Sequence, residues 1–188
     1  FDSEDMRNIA IYNDKIIHAT TDARLIALDA RTGEQVWETA VADNSKGFEN
    51  SSGPIVADGK VIQGLAGCSR YIEDACYISA YDANTGEVAW RFNTIAESSD
   101  PGGDTWGDID DLFRAGGETW ITGSYDPELK LTYWGTAQQK PWMPASRSLS
   151  IYDAGLFTNS TVAVNVDSGE LDWFFQHVPA EALDLDEV

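Results

Sequence analysis

Ala27-Leu28-Asp29-Ala30-Arg31-Thr32-Gly33-Glu34-Gln35-Val36-Trp37 is followed by a near copy, Ala80-Tyr81-Asp82-Ala83-Asn84-Thr85-Gly86-Glu87-Val88-Ala89-Trp90. A looser third version is Ala163-Val164-Asn165-Val166-Asp167-Ser168-Gly169-Glu170-Leu171-Asp172-Trp173. The shared form is A-x-[DN]-x-x-[TS]-G-E-x-x-W, and three occurrences of it make repetition the organising feature of the chain. An alternating apolar stretch precedes each acid or amide: Leu25-Ile26-Ala27-Leu28, Tyr77-Ile78-Ser79-Ala80-Tyr81 and Val162-Ala163-Val164. Such β-branched and aromatic runs read as strands. The D-x-x-T-G-E segment carries turn chemistry, with an Asx or Thr side chain closing on the backbone and a glycine able to take positive φ. A second short strand then bears the tryptophan. Each repeat is a hairpin ending in a large aromatic that needs a neighbouring surface, so Trp37, Trp90 and Trp173 are all expected to be buried.

Further strands are expected at Ile9–Tyr12, Lys15–Ala19, Ile55–Ala57, Lys60–Gln63, Trp120–Tyr125 and Leu131–Gly135, separated by turns at Asn13-Asp14, Asp58-Gly59 and Asp126-Pro127. Long helices have little support. The repeats begin 53 and then 83 positions apart, and a divergent hairpin at Tyr125–Gly135 fills the longer interval. The expectation is an all-β radial array of three to four blades. Two long stretches, Glu97–Gly117 and Gln138–Ser150, fall outside the blades and are candidates for functional loops.

Composition narrows the function. The chain has 188 residues, 43% of them hydrophobic, with seven each of Trp, Tyr and Phe, which is ample material for a core. Twelve Lys and Arg stand against 32 Asp and Glu, a net charge of −20. A surface this acidic repels nucleic acid and anionic lipid, and its plainest meaning is a solvated, salt-tolerant exterior. No apolar run is long enough to insert in a membrane. Phe1, with no signal-peptide pattern after it, implies a processed N-terminus or a piece of a longer protein. Cys68 and Cys76 are either a disulfide closing a short loop in an oxidising compartment or two unrelated buried thiols. With His18 and His177 far apart, they form no zinc-ligand pattern.

The three tryptophan motifs resemble the docking motifs of the pyrroloquinoline quinone (PQQ) dehydrogenases, periplasmic enzymes built as eight-bladed β-propellers. The stretch Arg114-Ala115-Gly116-Gly117-Glu118-Thr119-Trp120-Ile121-Thr122-Gly123-Ser124-Tyr125-Asp126-Pro127-Glu128-Leu129 resembles that family's most distinctive internal segment. Thr158–Val164, running into Trp173–Pro179, is similar to the family as well. The resemblance covers residues 1–188 as one partial propeller domain. Open blade faces and strand edges would need covering, so it implies either a fragment or a ring completed by another chain. The reaction implied is oxidation of an alcohol or polyol by hydride transfer to the quinone, with a calcium or lanthanide ion as Lewis acid. A periplasmic electron acceptor such as a cytochrome c is implied too.

By motif match, Trp120 is the residue on which the flat quinone stacks. Arg7, in Met6-Arg7-Asn8-Ile9-Ala10, matches the arginine near the quinone oxygens. Ser51, in Asn50-Ser51-Ser52-Gly53-Pro54, falls where a cofactor carboxylate is bound. Thr119 flanks Trp120 as a further cofactor contact, and Glu118 requires a cationic partner there. Asp184, in Leu183-Asp184-Leu185-Asp186, matches the catalytic base and a metal ligand. Asp186 resembles the additional acid of lanthanide-using members. Gln138 stands where the family has a metal-binding Asn. The family's metal-binding Glu belongs just before Tyr77–Tyr81, where Glu73 is the nearest acid. A non-catalytic propeller scaffold is the competing reading, and glycoside hydrolysis by paired acids is a distant third.

Overall fold

A computed structural model describes residues 8–69, 71 and 73–185. Three four-stranded antiparallel sheets follow one another along the chain. The first is β1 (Ala10–Tyr12), β2 (Lys15–Thr20), β3 (Arg24–Asp29) and β4 (Gln35–Ala40). The second is β5 (Ile55–Ala57), β6 (Lys60–Gln63), β7 (Tyr77–Asp82) and β8 (Val88–Asn93). The third is β9 (Ser124–Asp126), β10 (Leu131–Thr136), β11 (Ser160–Asn165) and β12 (Leu171–Gln176). Each sheet keeps chain order from edge to edge, which makes it a propeller blade.

The repeat builds the outer hairpin of every blade in the same way. Its first alanine lies opposite the tryptophan, as Ala27–Trp37, Ala80–Trp90 and Ala163–Trp173, and a register shift follows each alanine. The turn acid closes on two backbone N–H groups: Asp29 on Arg31 and Thr32, Asp82 on Asn84 and Thr85. Asn165 does the same with Asp167 and Ser168. Blades then dock tryptophan to turn. Trp37 Nε1 donates to Ala83 O at 3.2 Å, and Trp90 Nε1 donates to Val166 O at 2.8 Å. A Cβ on Gly86 would come within 2.7 Å of the Trp37 ring, and one on Gly169 equally close to Trp90. Both glycines also have positive φ, so no other residue suits either place.

Two apolar layers result. Ile17, Leu25, Trp37, Val61, Tyr77 and Tyr81 fill the first, between the first and second blades. Ile62, Ile78, Trp90, Trp134, Val162 and Val164 fill the second, between the second and third. Strand β7 is buried along five consecutive residues because its blade has a neighbour on both faces, whereas β3 alternates.

Three expectations are corrected. Trp173 is 42% exposed, against 8% for Trp37 and for Trp90, because no docking turn lies beyond it among the described residues. The hairpin at Tyr125–Gly135 is the inner half of the third blade and no separate element. Residues 120–123 are not strand: β9 begins only at Ser124, and before it the Trp120 carbonyl and the Thr122 hydroxyl are bonded to the loop at Ser51 and Gly53. The only α-helix among the described residues is the single turn α1 (Pro144–Arg147).

Candidate cofactor and metal site

The segment Ala115–Trp120 leaves the Glu97–Gly117 loop and runs as a strap between two other loops. On one side Gly116 N donates to Cys68 O and Thr119 N to Leu65 O. On the other, Ala137 N donates to Glu118 O and Lys140 N to Ala115 O. Gly116 has no alternative in this register, because a Cβ there would lie 2.1 Å from the Gln138 carbonyl oxygen. The loops that follow β6 and β10 are thereby stitched into one wall. A pair of backbone bonds between Glu49 and Ala66 adds the Phe48–Ser51 segment. Disulfide Cys68–Cys76 clasps this wall to the start of β7.

The wall encloses a cavity of about 340 Å³, lined among others by Ser51, Glu118, Trp120, Gln138, Lys140 and Asp184. Ser51 Oγ donates to the Trp120 carbonyl at 3.4 Å, and Thr122 Oγ1 accepts from Gly53 N at 3.2 Å, so the Trp120 segment is held against the first blade's exit loop. The Gln138 amide nitrogen donates to Asp184 Oδ1. Glu118 is 3% exposed, and its Oε1 accepts from Lys140 Nζ at 2.5 Å and from Cys68 N at 3.2 Å. Burial pushes its carboxyl above the ordinary glutamate range, while Lys140 and the N–H donors pull the other way. A second cavity of about 440 Å³, walled by Tyr71, Pro141 and Trp142, shares Gln138, Lys140 and Asp184 with the first.

Of the residues expected from the sequence, Ser51, Trp120, Gln138 and Asp184 meet at this cavity. Thr119 does not line it: the residue is fully buried behind the wall, its Oγ1 accepting the Leu65 N–H at 2.9 Å. Glu73 is exposed and lines neither cavity. Arg7 and Asp186 lie outside the described residues. Sequence reasoning asks for a cation beside Glu118 but does not single out Lys140 as that partner. The signal for Lys140 is scarcity, a cation two positions after Gln138 in a chain with only twelve Lys and Arg.

The donor chemistry fits a hard cation. Glu118 Oε2 and Gln138 Oε1 are buried with no hydrogen-bond partner among the described residues, and both belong to side chains on the cavity that holds Asp184. Buried acceptors without donors are costly, and carboxylate and amide oxygens are the ligands calcium-like ions take. The half-buried Trp120 indole, the Ser51 hydroxyl and the Lys140 ammonium fit a flat anionic cofactor.

The PQQ-type glucose/ethanol/alcohol dehydrogenase β-propeller domain model matches residues 3–188. The chain belongs to this family. Quinohemoprotein alcohol dehydrogenase ADH IIB of Pseudomonas putida is 37% identical over 191 residues, spanning 95% of this chain and 27% of its own length. The solved structure of ADHIIG from Pseudomonas putida HK5 superposes with a TM-score of 0.83 at 34% identity, over 95% of this chain and 27% of that one. A europium-containing methanol dehydrogenase superposes at 0.79 with 30% identity, over 96% and 33%. The chain thus spans about a quarter to a third of the length of these relatives. No helix among the described residues is long and apolar enough to cross a membrane.

Proposed function

We propose that the polypeptide carrying this chain is a PQQ- and metal-dependent dehydrogenase that oxidises an alcohol or polyol. The observation that carries this reading is the convergence of Ser51, Trp120, Gln138 and Asp184, from four separate loops, on one cavity. A binding scaffold gives no reason for buried, partnerless oxygens at the same place.

Bound PQQ supplies the two-electron acceptor for hydride, and a calcium or lanthanide ion supplies Lewis acidity. The chain's own residues prepare and complete the reaction. Trp120 offers an aromatic face for stacking, and the Ser51 hydroxyl, on rotating away from the Trp120 carbonyl, can donate to a carboxylate. Lys140 offsets negative charge on the wall, and Arg7 is a further cation by motif match. Asp184 accepts the alcohol proton as the C–H bond breaks, its carboxylate oriented by the Gln138 amide. The second cavity, with Tyr71, Pro141 and Trp142, opens on the same Asp184 and is the approach for the alcohol. The disulfide is in keeping with a periplasmic setting, where a cytochrome c would take the electrons. Residues 1–188 are one partial propeller domain whose ring is completed by further blades.

Reconstitution of the full native polypeptide with PQQ and either calcium or a lanthanide tests the proposal. Alcohol-dependent dye reduction is expected with at least one ion. Absence of activity with both, and loss of quinone absorbance on dialysis, would leave the scaffold reading in its place.

A further inference from the structure

We propose that Glu118, on the strap between the second and third blades, is a direct ligand of a hard cation shared with Gln138 and Asp184. This rests on the metal-dependent reading above and adds a ligand from a different loop. The segment before β7, where a metal-binding acid is expected, brings no carboxylate to the cavity among the described residues. Glu73 points to solvent, and Cys68, which does reach the wall, is committed to the disulfide. Glu118 stands in at that place, for its Oε1 accepts the backbone N–H of Cys68.

The remaining atoms say what is missing. Among the described residues Glu118 Oε2 has no donor although its residue is 3% exposed, and Gln138 Oε1 has none at 5% exposed. Leaving two acceptors dry is expensive, and one of them is a carboxylate oxygen. A single cation between them and Asp184 satisfies all three at once. Charge agrees: Glu49, Glu118 and Asp184 all line the cavity, and Lys140 is the one cationic side chain among its described lining residues. No group of three His, Cys, Asp or Glu side chains among the described residues is arranged to hold a metal ion by itself. The set therefore depends on the Gln138 amide oxygen, a donor suited to calcium or a lanthanide and ill-suited to zinc or copper.

Calorimetric titration of calcium and of terbium(III) into the PQQ-loaded, metal-stripped full polypeptide tests this without recourse to turnover. Glu118→Gln is expected to weaken binding of both ions by ~10–100-fold. That variant leaves Lys140 unpaired, so the double variant Glu118→Gln/Lys140→Met removes both charges and guards against misfolding. It is expected to recover the parent's melting temperature and still bind weakly, whereas Lys140→Met alone binds at least as tightly as the parent. If the double variant binds like the parent while Asp184→Asn binds weakly, Glu118 is only the partner of Lys140 and this inference falls alone. If the parent binds neither ion, or Asp184→Asn binds unchanged, the metal-dependent reading falls with it.

Discussion

Asp184 is held by the Gln138 amide at the junction of two cavities, one walled by Trp120 and the other by Trp142. On the proposed reading Asp184 is the base at that junction, and asparagine has nearly its shape without its basicity. Asp184→Asn, assayed at saturating cation, is expected to lower kcat by ~10²–10⁴-fold while PQQ stays bound through dialysis. The disulfide makes a separate claim on the same wall. Reducing Cys68–Cys76 frees the loop between them, and a bridge of this short span contributes about 2–3 kcal/mol. A lower melting temperature in reductant, with both thiols becoming alkylatable, is the expected result; an unchanged melting curve would show that the clasp is idle. Ser51, Trp120, Gln138 and Asp184 were legible beforehand as candidates by motif match alone, and the structure brings all four to one cavity. That Lys140 is the cation beside Glu118 was not, because an ion pair between two loops leaves no spacing in the sequence. Thr119 misled for a related reason: its neighbour Trp120 reaches the cavity, and in extended chain the next side chain points away, here to Leu65.

At the scale of the hairpin, the eleven-position repeat encodes both the turn and its use. Gly86 and Gly169 combine positive φ with a tryptophan ring packed on the α-carbon, whereas Gly33 has the same φ and nothing within 4 Å. Gly86→Ala is therefore expected to destabilise clearly more than Gly33→Ala, for which only the conformational penalty of about 1 kcal/mol applies. Trp90→Ala is expected to cost about 3–5 kcal/mol, and chemical denaturation of the three variants gives the ranking. The turn acid adds a pH dependence. Backbone N–H groups of Thr32 and Arg31 hold the Asp29 carboxyl below its ordinary value of 3.8. Its stabilising effect is complete above that value and is lost as pH falls through the lower folded-state value. Asp29→Asn, which keeps the acceptor as Asn165 does in the third repeat, should flatten the acid limb of a plot of melting temperature against pH. Strand periodicity gave the blades correctly because alternation and turn residues agree at each hairpin. It failed at residues 120–123, where an apolar, β-prone run is spent on loop contacts with Ser51 and Gly53.

Across the whole molecule, each blade offers its tryptophan to the next blade's turn, so a series of three blades carries one unused turn and one unused tryptophan. The turn is at Gly33, open on its docking side, and the tryptophan is Trp173, partly covered by Tyr133 with ring centroids 5.8 Å apart. Phe174 and Phe175 are exposed beside it, and such an apolar edge on so acidic a surface is the mark of an unfilled interface. The two inner junctions supply the template for what fills it: a glycine turn against the indole face and a backbone carbonyl on Nε1. In the full native polypeptide, Trp173 is expected to dock in this way on a further turn. Its fluorescence, isolated as the difference between the parent and Trp173→Phe, should then shift to the blue and become shielded from acrylamide. Trp173→Ala should cost about 3–5 kcal/mol in that polypeptide, as at a buried site, and much less in the 188-residue chain, where the residue is already 42% exposed. An indole equally open to acrylamide in both forms would mean that the ring does not continue through the third blade.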